Sequence, residues 1–406
     1  MASVGEVSAR SSTPAAVTDG ADVILAVEHL VTSPGEHAPT WFAIRDGVIT
    51  ESGTGAPPRP ADERIDDGIV VPGFVDAHAH GAMGHDFRSC DLGGARTIVA
   101  HHLAAGTTDL VASIATAPFP VLLRQLALLA DLVRDGTLAG LHLEGPYLST
   151  SERRGAHDPA LLRTPDPGEL ERLLDAAGGT LAMITIAPEL PGAPEAIRLL
   201  VGRGVRVAIG HTACTTETAR TALADGATAF THLFNGMPPI AGREPGPVAA
   251  ALESDSAHLE VIGDGRHLAD ETLALVRRIA AGRVALVSDA MQATGLGDGD
   301  YGRLTVRGGE ARAPGGSLAG STSTLGTAAT RLLAASDMTL PELVELSSAA
   351  AARFLGLSRD LAPGRPADLV VLAPGGERSL RVARVMRHGR WVRPAAEPDA
   401  SAVPAI

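Results

Sequence analysis

The stretch PGFVDAHAHG places His78 and His80 two positions apart at the end of an apolar run, IVVPGFVD. In an extended strand, residues i and i+2 face the same way, so both imidazoles project to one side, which suits chelation and equally suits a polar patch. Other apolar runs end in residues that answer them: Glu144 in LHLEG, His211 in VAIGH, His232 in AFTH and Asp289 in LVSDA. Imidazoles and carboxylates together form a donor set for a divalent metal of the zinc or iron class. One strand-end histidine is more often a structural hydrogen-bonding group than a ligand, but five strand ends carrying such residues are hard to reach by accident. Asp289 follows an apolar strand, where a carboxylate is costly to bury without a metal or a proton partner. Its expected role is general base and acid toward a water acidified by the metal, with helix capping before AMQATG as the structural alternative.

Further segments offer binding groups. THLFNGMPPIAGREPG continues past His232 with Asn235, Gly236 and Arg243. An arginine on a proline-rich loop suits a bidentate grip on phosphate or carboxylate, and composition alone does not separate that from a surface salt bridge. His157 in RRGAHDP and His267 in GDGRH contact a substrate or close a loop. His142 shares a strand face with Glu144 and is expected in a deeper layer, whereas His85, His101 and His102 read as loop or helix residues. PGGSLAGS lacks the closing glycine of a serine-nucleophile elbow and reads as a glycine-lined pocket wall. Cys214 reads as a small packing residue.

Positioning these residues needs a repeated scaffold. Eight short runs, at 69–78, 108–116, 138–145, 182–189, 205–211, 227–232, 258–265 and 284–290, alternate with Ala/Leu/Arg segments of helical period such as PVLLRQLALLADLVRDG. The segment DETLALVRRIAAG is expected to start after Asp270 as N-cap and to end at Gly282. Eight such alternations favour a (β/α)8 barrel over an open sheet, here over 69–359. The flanks 21–68 and 360–393 carry strand and turn signals, including Asp46-Gly47, and are expected to form one small β-sandwich domain from both termini. A hairpin-like insertion is expected at 302–316, and 1–20 and 394–406 read as disordered tails.

Composition narrows the function. The chain has 406 residues, 45% hydrophobic and 20% charged, enough for a sizeable core. A net charge of −13 with 3% aromatics argues against nucleic acid. All 34 Lys+Arg residues are arginines, which removes Walker-type phosphate loops, Schiff-base chemistry and carbamate-bridged metal sites. Two cysteines exclude a disulfide framework and a cysteine-rich zinc site. Neither an export signal nor an apolar run of spanning length is present, so the expected setting is cytoplasmic, without membrane partners.

Taken together, PGFVDAHAHG, LHLEGPYLS, RRGAHDP, TIAPE, IGHTAC, THLFNGMPPIAGREPG, GDGRH, LVSDAM and SLAGSTSTL make the chain resemble, over about 40–393, the N-acetylglucosamine-6-phosphate deacetylases of the amidohydrolase superfamily. The resemblance implies hydrolysis of the acetamide of N-acetyl-D-glucosamine 6-phosphate to D-glucosamine 6-phosphate and acetate. It implies that Glu144, His211 and His232 bind the main metal, and that His78 and His80 add a second one with Glu144 bridging. One or two divalent ions are therefore expected per chain, zinc first, with iron, manganese, cobalt or cadmium as alternatives. It implies Asp289 as catalytic base, and Ala156, Asn235, Gly236, Arg243, His267 and Leu318, Ala319, Gly320 and Ser321 around the sugar phosphate, with His157 near the acetamide. A homodimer is implied, in which Arg243 reaches the neighbouring subunit's phosphate. Gly236 and Ser288 stand where alanine and threonine are commoner in that family. The rival readings are the galactosamine 6-phosphate epimer, a cyclic-amide hydrolase, and a non-catalytic assembly protein of the same fold.

Overall fold

The computed structural model describes residues 22–376 and 379–392, so the tails expected at 1–20 and 394–406 lie outside the described residues. Eight parallel strands form one sheet in chain order: β1 (Phe74–Ala79), β2 (Thr107–Ala115), β3 (Gly140–Glu144), β4 (Leu181–Ile186), β5 (Arg206–Ile209), β6 (Ala229–Phe230), β7 (His258–Ile262) and β8 (Val284–Val287). One helix follows each: α1 (Leu92–Ala104), α2 (Phe119–Arg134), α3 (Pro167–Ala177), α4 (Ala193–Gly202), α5 (Thr216–Ala224), α6 (Gly246–Glu253), α7 (Asp270–Ile279) and α8 (Leu325–Ala335). The sheet closes where the end of β8 meets β1: Asp289 N–H donates to the His78 carbonyl at 2.9 Å and His80 N–H to the Ala290 carbonyl at 2.7 Å. This is the expected (β/α)8 barrel. Its strands are apolar almost throughout because both faces are buried, against side chains inside and helices outside.

The helices follow from local chemistry. α2 starts after Pro118 with a proline in its first turn and buries Leu122, Leu126 and Leu129 along one stripe. In α7 the expected N-cap is displaced by one residue, since Ala269 occupies the cap position and Asp270 lies within the first turn. The Asp270 carboxylate accepts from Arg331 Nη1 and Nη2 at 2.8 and 2.7 Å, and this bidentate pair outcompetes capping.

The first expected strand, 69–78, breaks in two. Ile69–Pro72 pairs antiparallel with Leu369–Gly376, whereas β1 pairs parallel with β2. Gly73 marks the break, because a β-carbon there would sit 2.2 Å from Thr108 Oγ1. Ile69–Pro72 belongs to a six-stranded sheet with Leu30–Thr32, Gly35–His37, Leu369–Gly376, Ser379–Arg387 and Arg390–Trp391. A four-stranded sheet of Val23–Val27, Thr40–Arg45, Val48–Thr54 and Glu63–Ile65 faces it across Phe42, Ile44, Ile49, Leu369 and Met386. Segments before and after the barrel thus build one β-sandwich. Asp46 and Gly47, at φ 50° and 81°, make its tight turn. The insertion expected at 302–316 is a three-stranded sheet of Gly299–Tyr301, Leu304–Arg307 and Glu310–Arg312. No helix among the described residues is long and apolar enough to cross a membrane.

Two buried histidines make stability depend on pH. His258 stacks on Phe354 with ring centroids 4.1 Å apart, and its Nε2 has no partner among the described residues. His102 reaches only the Gly81 carbonyl, at 3.2 Å. Burial pushes each down to about 4. Between about pH 6.5 and 4 the unfolded chain takes up protons that the folded chain refuses, so stability is lost as pH falls through that window, by roughly 3 kcal/mol per histidine. Thermal melts from pH 7 to 4.5 should therefore fall steeply, and His258→Phe should flatten the curve; an unchanged slope in that variant would contradict the assignment.

Candidate active site

Glu144 ends β3, and His78 lies in β1 with His80 just beyond it; His211, His232 and Asp289 each stand two residues past β5, β6 and β8. All therefore sit at the C-terminal mouth of the barrel, where this fold places its chemistry. His211, His232 and Asp289 adopt φ of 46°, 28° and 46°, a region that residues with side chains rarely enter. Such strain persists only where the surroundings over-determine it. At Asp289 they do: its carbonyl accepts from Ser321 N–H at 2.7 Å, and Gly320, at φ 66°, lies so close that a β-carbon would be 2.7 Å from that carbonyl. Ser321 Oγ donates to the Ser288 carbonyl at 2.6 Å.

The side chains converge on one carboxylate. Glu144 Oε1 lies 3.0 Å from both His211 Nε2 and His232 Nε2, which are themselves 3.0 Å apart. Glu144 Oε2 lies 3.2 Å from His80 Nε2 and 3.2 Å from His157 Nε2. His78 Nε2 is 3.1 Å from His80 Nε2, and Asp289 Oδ1 lies 3.6 and 3.3 Å from these two nitrogens. The opposite ring nitrogens are tied down: His80 Nδ1 to the Ser113 carbonyl at 3.0 Å, His211 Nδ1 to the Arg153 carbonyl at 3.1 Å, His78 Nδ1 to Glu260 Oε2 at 3.1 Å. Donation at Nδ1 leaves the Nε2 lone pairs facing inward, the arrangement that divalent metal sites use. The donor atoms of His78, His80 and Asp289, and those of Glu144, His157 and His211, form two groups compact enough to hold an ion each. The residues present fit a divalent cation.

Charge tells the same story. Burial opposes ionisation of Glu144, yet His211 and His157 beside it hold the carboxyl well below its usual range. Asp289 is likewise held low against burial, by His78 and His80. Burial also opposes charge on His78, but Asp289, Glu260 and Glu144 raise it to about 9. The buried carboxylates therefore demand positive charge between them, which protons or a divalent cation provide. His142 lies one layer below, its ring edge-on to that of His78 at 4.7 Å, with Nδ1 2.9 Å from Ser113 Oγ and Nε2 2.9 Å from Thr185 Oγ1.

Above the cluster opens a cavity of ≈ 580 Å³. His80, Glu144, His211, His232 and Asp289 form its floor, and Ala156, His157, Asn235, Gly236, His267, Leu318, Ala319 and Gly320 line its walls. His78 is fully buried beneath. Two residues expected at the substrate do not line this cavity: Ser321 is buried under the Asp289 turn, where its hydroxyl donates to the Ser288 carbonyl, and Arg243 is exposed on its loop. Gly236 is not neutral to substitution, since at φ 61° a β-carbon would approach His211 Nδ1 to 2.9 Å. Sequence reasoning passed over Glu260 and Asp264. Asp264 Oδ2 holds His267 Nδ1 at 2.9 Å. The signal for Glu260 was a charged residue in the middle of the apolar run HLEVI. Arg88, Arg153 and Arg303 also reach the walls.

Comparison with known proteins places this site among relatives. The model of the amidohydrolase family matches residues 69–392. A protein named N-acetylgalactosamine-6-phosphate deacetylase from Escherichia coli O157:H7 is 33% identical, covering 87% of this chain and 95% of that one. An N-acetylglucosamine-6-phosphate deacetylase from Vibrio furnissii is 34% identical over 71% of this chain and 76% of its own length. The crystal structure of N-acetyl-D-glucosamine-6-phosphate deacetylase from Mycobacterium smegmatis is 43% identical at TM-score 0.87, covering 91% of this chain and all (100%) of that chain. An Asp-to-Ala mutant of that enzyme, solved in complex with N-acetyl-D-glucosamine-6-phosphate, superimposes at TM-score 0.87 with 42% identity, covering 92% and 100% of the two chains.

The strained turn at Asp289 gives a direct check. Gly320→Ala should push the Asp289 carbonyl aside and destabilise the protein by about 1–3 kcal/mol. A thermal midpoint equal to that of the parent would contradict this packing.

Proposed function

This chain belongs to the amidohydrolase family, and on that premise we propose that it hydrolyses the acetamide of N-acetyl-D-glucosamine 6-phosphate to D-glucosamine 6-phosphate and acetate. The observation that carries the reading is the meeting of Glu144, His211 and His232 beside Asp289 at the floor of a sugar-sized cavity. The solved relative that holds this same sugar phosphate supports it.

Glu144, His211 and His232 would hold the main divalent ion, zinc by preference, with iron, manganese, cobalt or cadmium as alternatives. His78 and His80 would hold a second, with Glu144 between the two. Such an ion, when bound, acidifies water and polarises the amide carbonyl. Asp289 takes the proton from the attacking water and returns it to the leaving amine; its Oδ1, 3.3 Å from His80 Nε2, lies at the cavity floor where that transfer must occur. His157 is held by Thr116 Oγ1 at 2.9 Å and presents its other nitrogen to the floor, in position to fix the acetamide oxygen. Asn235, Gly236 and His267 hold the sugar phosphate, and Ala156 with Leu318, Ala319 and Gly320 exclude water around the ring. Arg243 is exposed and not among the residues lining its own cavity, and the reading includes a homodimer, as the resemblance implies, in which the partner subunit's Arg243 meets the phosphate. The setting proposed is cytoplasmic, where sugar phosphates are made and used.

Asp289→Asn should lower kcat by about 10²–10⁴-fold while the ion assigned to Glu144, His211 and His232 is retained, read as at least one equivalent per chain by elemental analysis. Retained turnover would remove Asp289 from the proposed mechanism. The resemblance to the Escherichia coli protein favours a second reading, the galactosamine epimer. Comparing kcat/KM on the two 6-phosphates decides between them: the present reading expects the glucosamine epimer to be preferred, and the reverse order would establish the alternative.

A further inference from the structure

Three of the imidazoles assigned to metal, His78, His80 and His211, are tethered through Nδ1, but not alike. His80 and His211 donate through Nδ1 to main-chain carbonyls, of Ser113 and Arg153. His78 faces a carboxylate instead, Glu260 Oε2, at 3.1 Å. Glu260 lies in the middle of β7, is wholly buried, and reaches His78 of β1 past the intervening β8. Its second oxygen, Oε1, has no partner among the described residues.

A carboxylate in that position is a poor structural device. A buried ion pair roughly breaks even against an apolar pair of similar volume, so packing alone gives no reason for a glutamate among Leu259, Val261 and Ile262. Toward a cation the arrangement does have an effect. A carboxylate on the far nitrogen of a ligating imidazole fixes the ring, increases its basicity and adds negative charge at one remove from the ion. Besides Glu144, which lies between the two proposed ions, the group of His78, His80 and Asp289 brings one carboxylate of its own. A divalent ion there gains more from Glu260 than the ion between Glu144, His211 and His232, none of which touches Glu260.

We propose that Glu260 is a positioning residue that, through His78, determines whether the His78/His80/Asp289 group retains a metal ion, and so whether the enzyme carries one ion or two. The proposal rests on the two-ion reading given above and extends it.

The test is zinc titration of the chelator-stripped full-length enzyme against a competing chelator, for the parent, Glu260→Gln, His78→Ala and the double variant. Glu260→Gln should weaken the second zinc equivalent about 10–100-fold and leave the first unchanged. The double variant should bind the second equivalent no more weakly than His78→Ala, because Glu260 acts through that ring. If Glu260→Gln does not fold, Glu260→Asp, which keeps the charge but shortens the reach, should show the same selective weakening to a smaller degree. A second equivalent unaffected by either change, or both equivalents weakened alike, overturns the proposal. A parent enzyme that binds only one equivalent overturns the two-ion reading itself, and the proposal with it.

Discussion

The structure depends on one buried carboxylate. Glu144, at the end of β3, lies within 3.2 Å of four imidazoles that come from four other segments of the chain. A carboxylate so enclosed is stable only if it is answered by positive charge, and neutral rings with inward lone pairs supply that charge only when they share a cation. The barrel makes this possible by bringing residues more than 150 positions apart in sequence to a common radius, through strands whose parallel register fixes where each ends. The site is therefore a property of closure. The backbone bonds that join the end of β8 to β1, from Asp289 to His78 and from His80 to Ala290, are made by the residues that carry the chemistry or by their neighbours.

That coupling accounts for the strain around the mouth. His211, His232 and Asp289 all leave their strands in the left-handed region, which turns each side chain over the barrel axis instead of along the wall. Glycines keep the space this requires: a β-carbon at Gly210 would lie 2.7 Å from Thr185 and Thr231, and one at Gly320 would strike the Asp289 carbonyl. The energy stored there is offset by the apolar interior below, and it fixes the geometry a hydrolytic site needs before substrate arrives.

Much of this was legible because it follows periodic rules. Strand alternation put His78 and His80 on one face, and the end of each apolar run marked the barrel mouth, so the fold could be derived from eight runs and the helices between them. What escaped depends on distances across the interior, which no period encodes. Glu260 reads as an odd charge in a strand until closure of the barrel is seen to bring β7 to within one strand of β1. His157, in an irregular loop, was expected beside the acetamide and stands within reach of Glu144. The break at Gly73 was hidden inside one continuous apolar run, because both halves are buried, each in a different sheet. The cap of α7 shifted since Arg331, 61 residues away in sequence, claims the Asp270 carboxylate. Arg243 is exposed on its loop and does not line the cavity of its own chain, which its local sequence does not mark.

The most direct measurement is an anomalous-difference crystal structure of the zinc-loaded protein at the zinc edge. The account predicts a peak at about 2.0–2.2 Å from Nε2 of His211 and His232 and from a Glu144 oxygen, distances set by zinc coordination. A zinc-loaded crystal with no peak among these atoms, or with its ions only on surface residues, would contradict the claim that the barrel mouth is built to hold a cation.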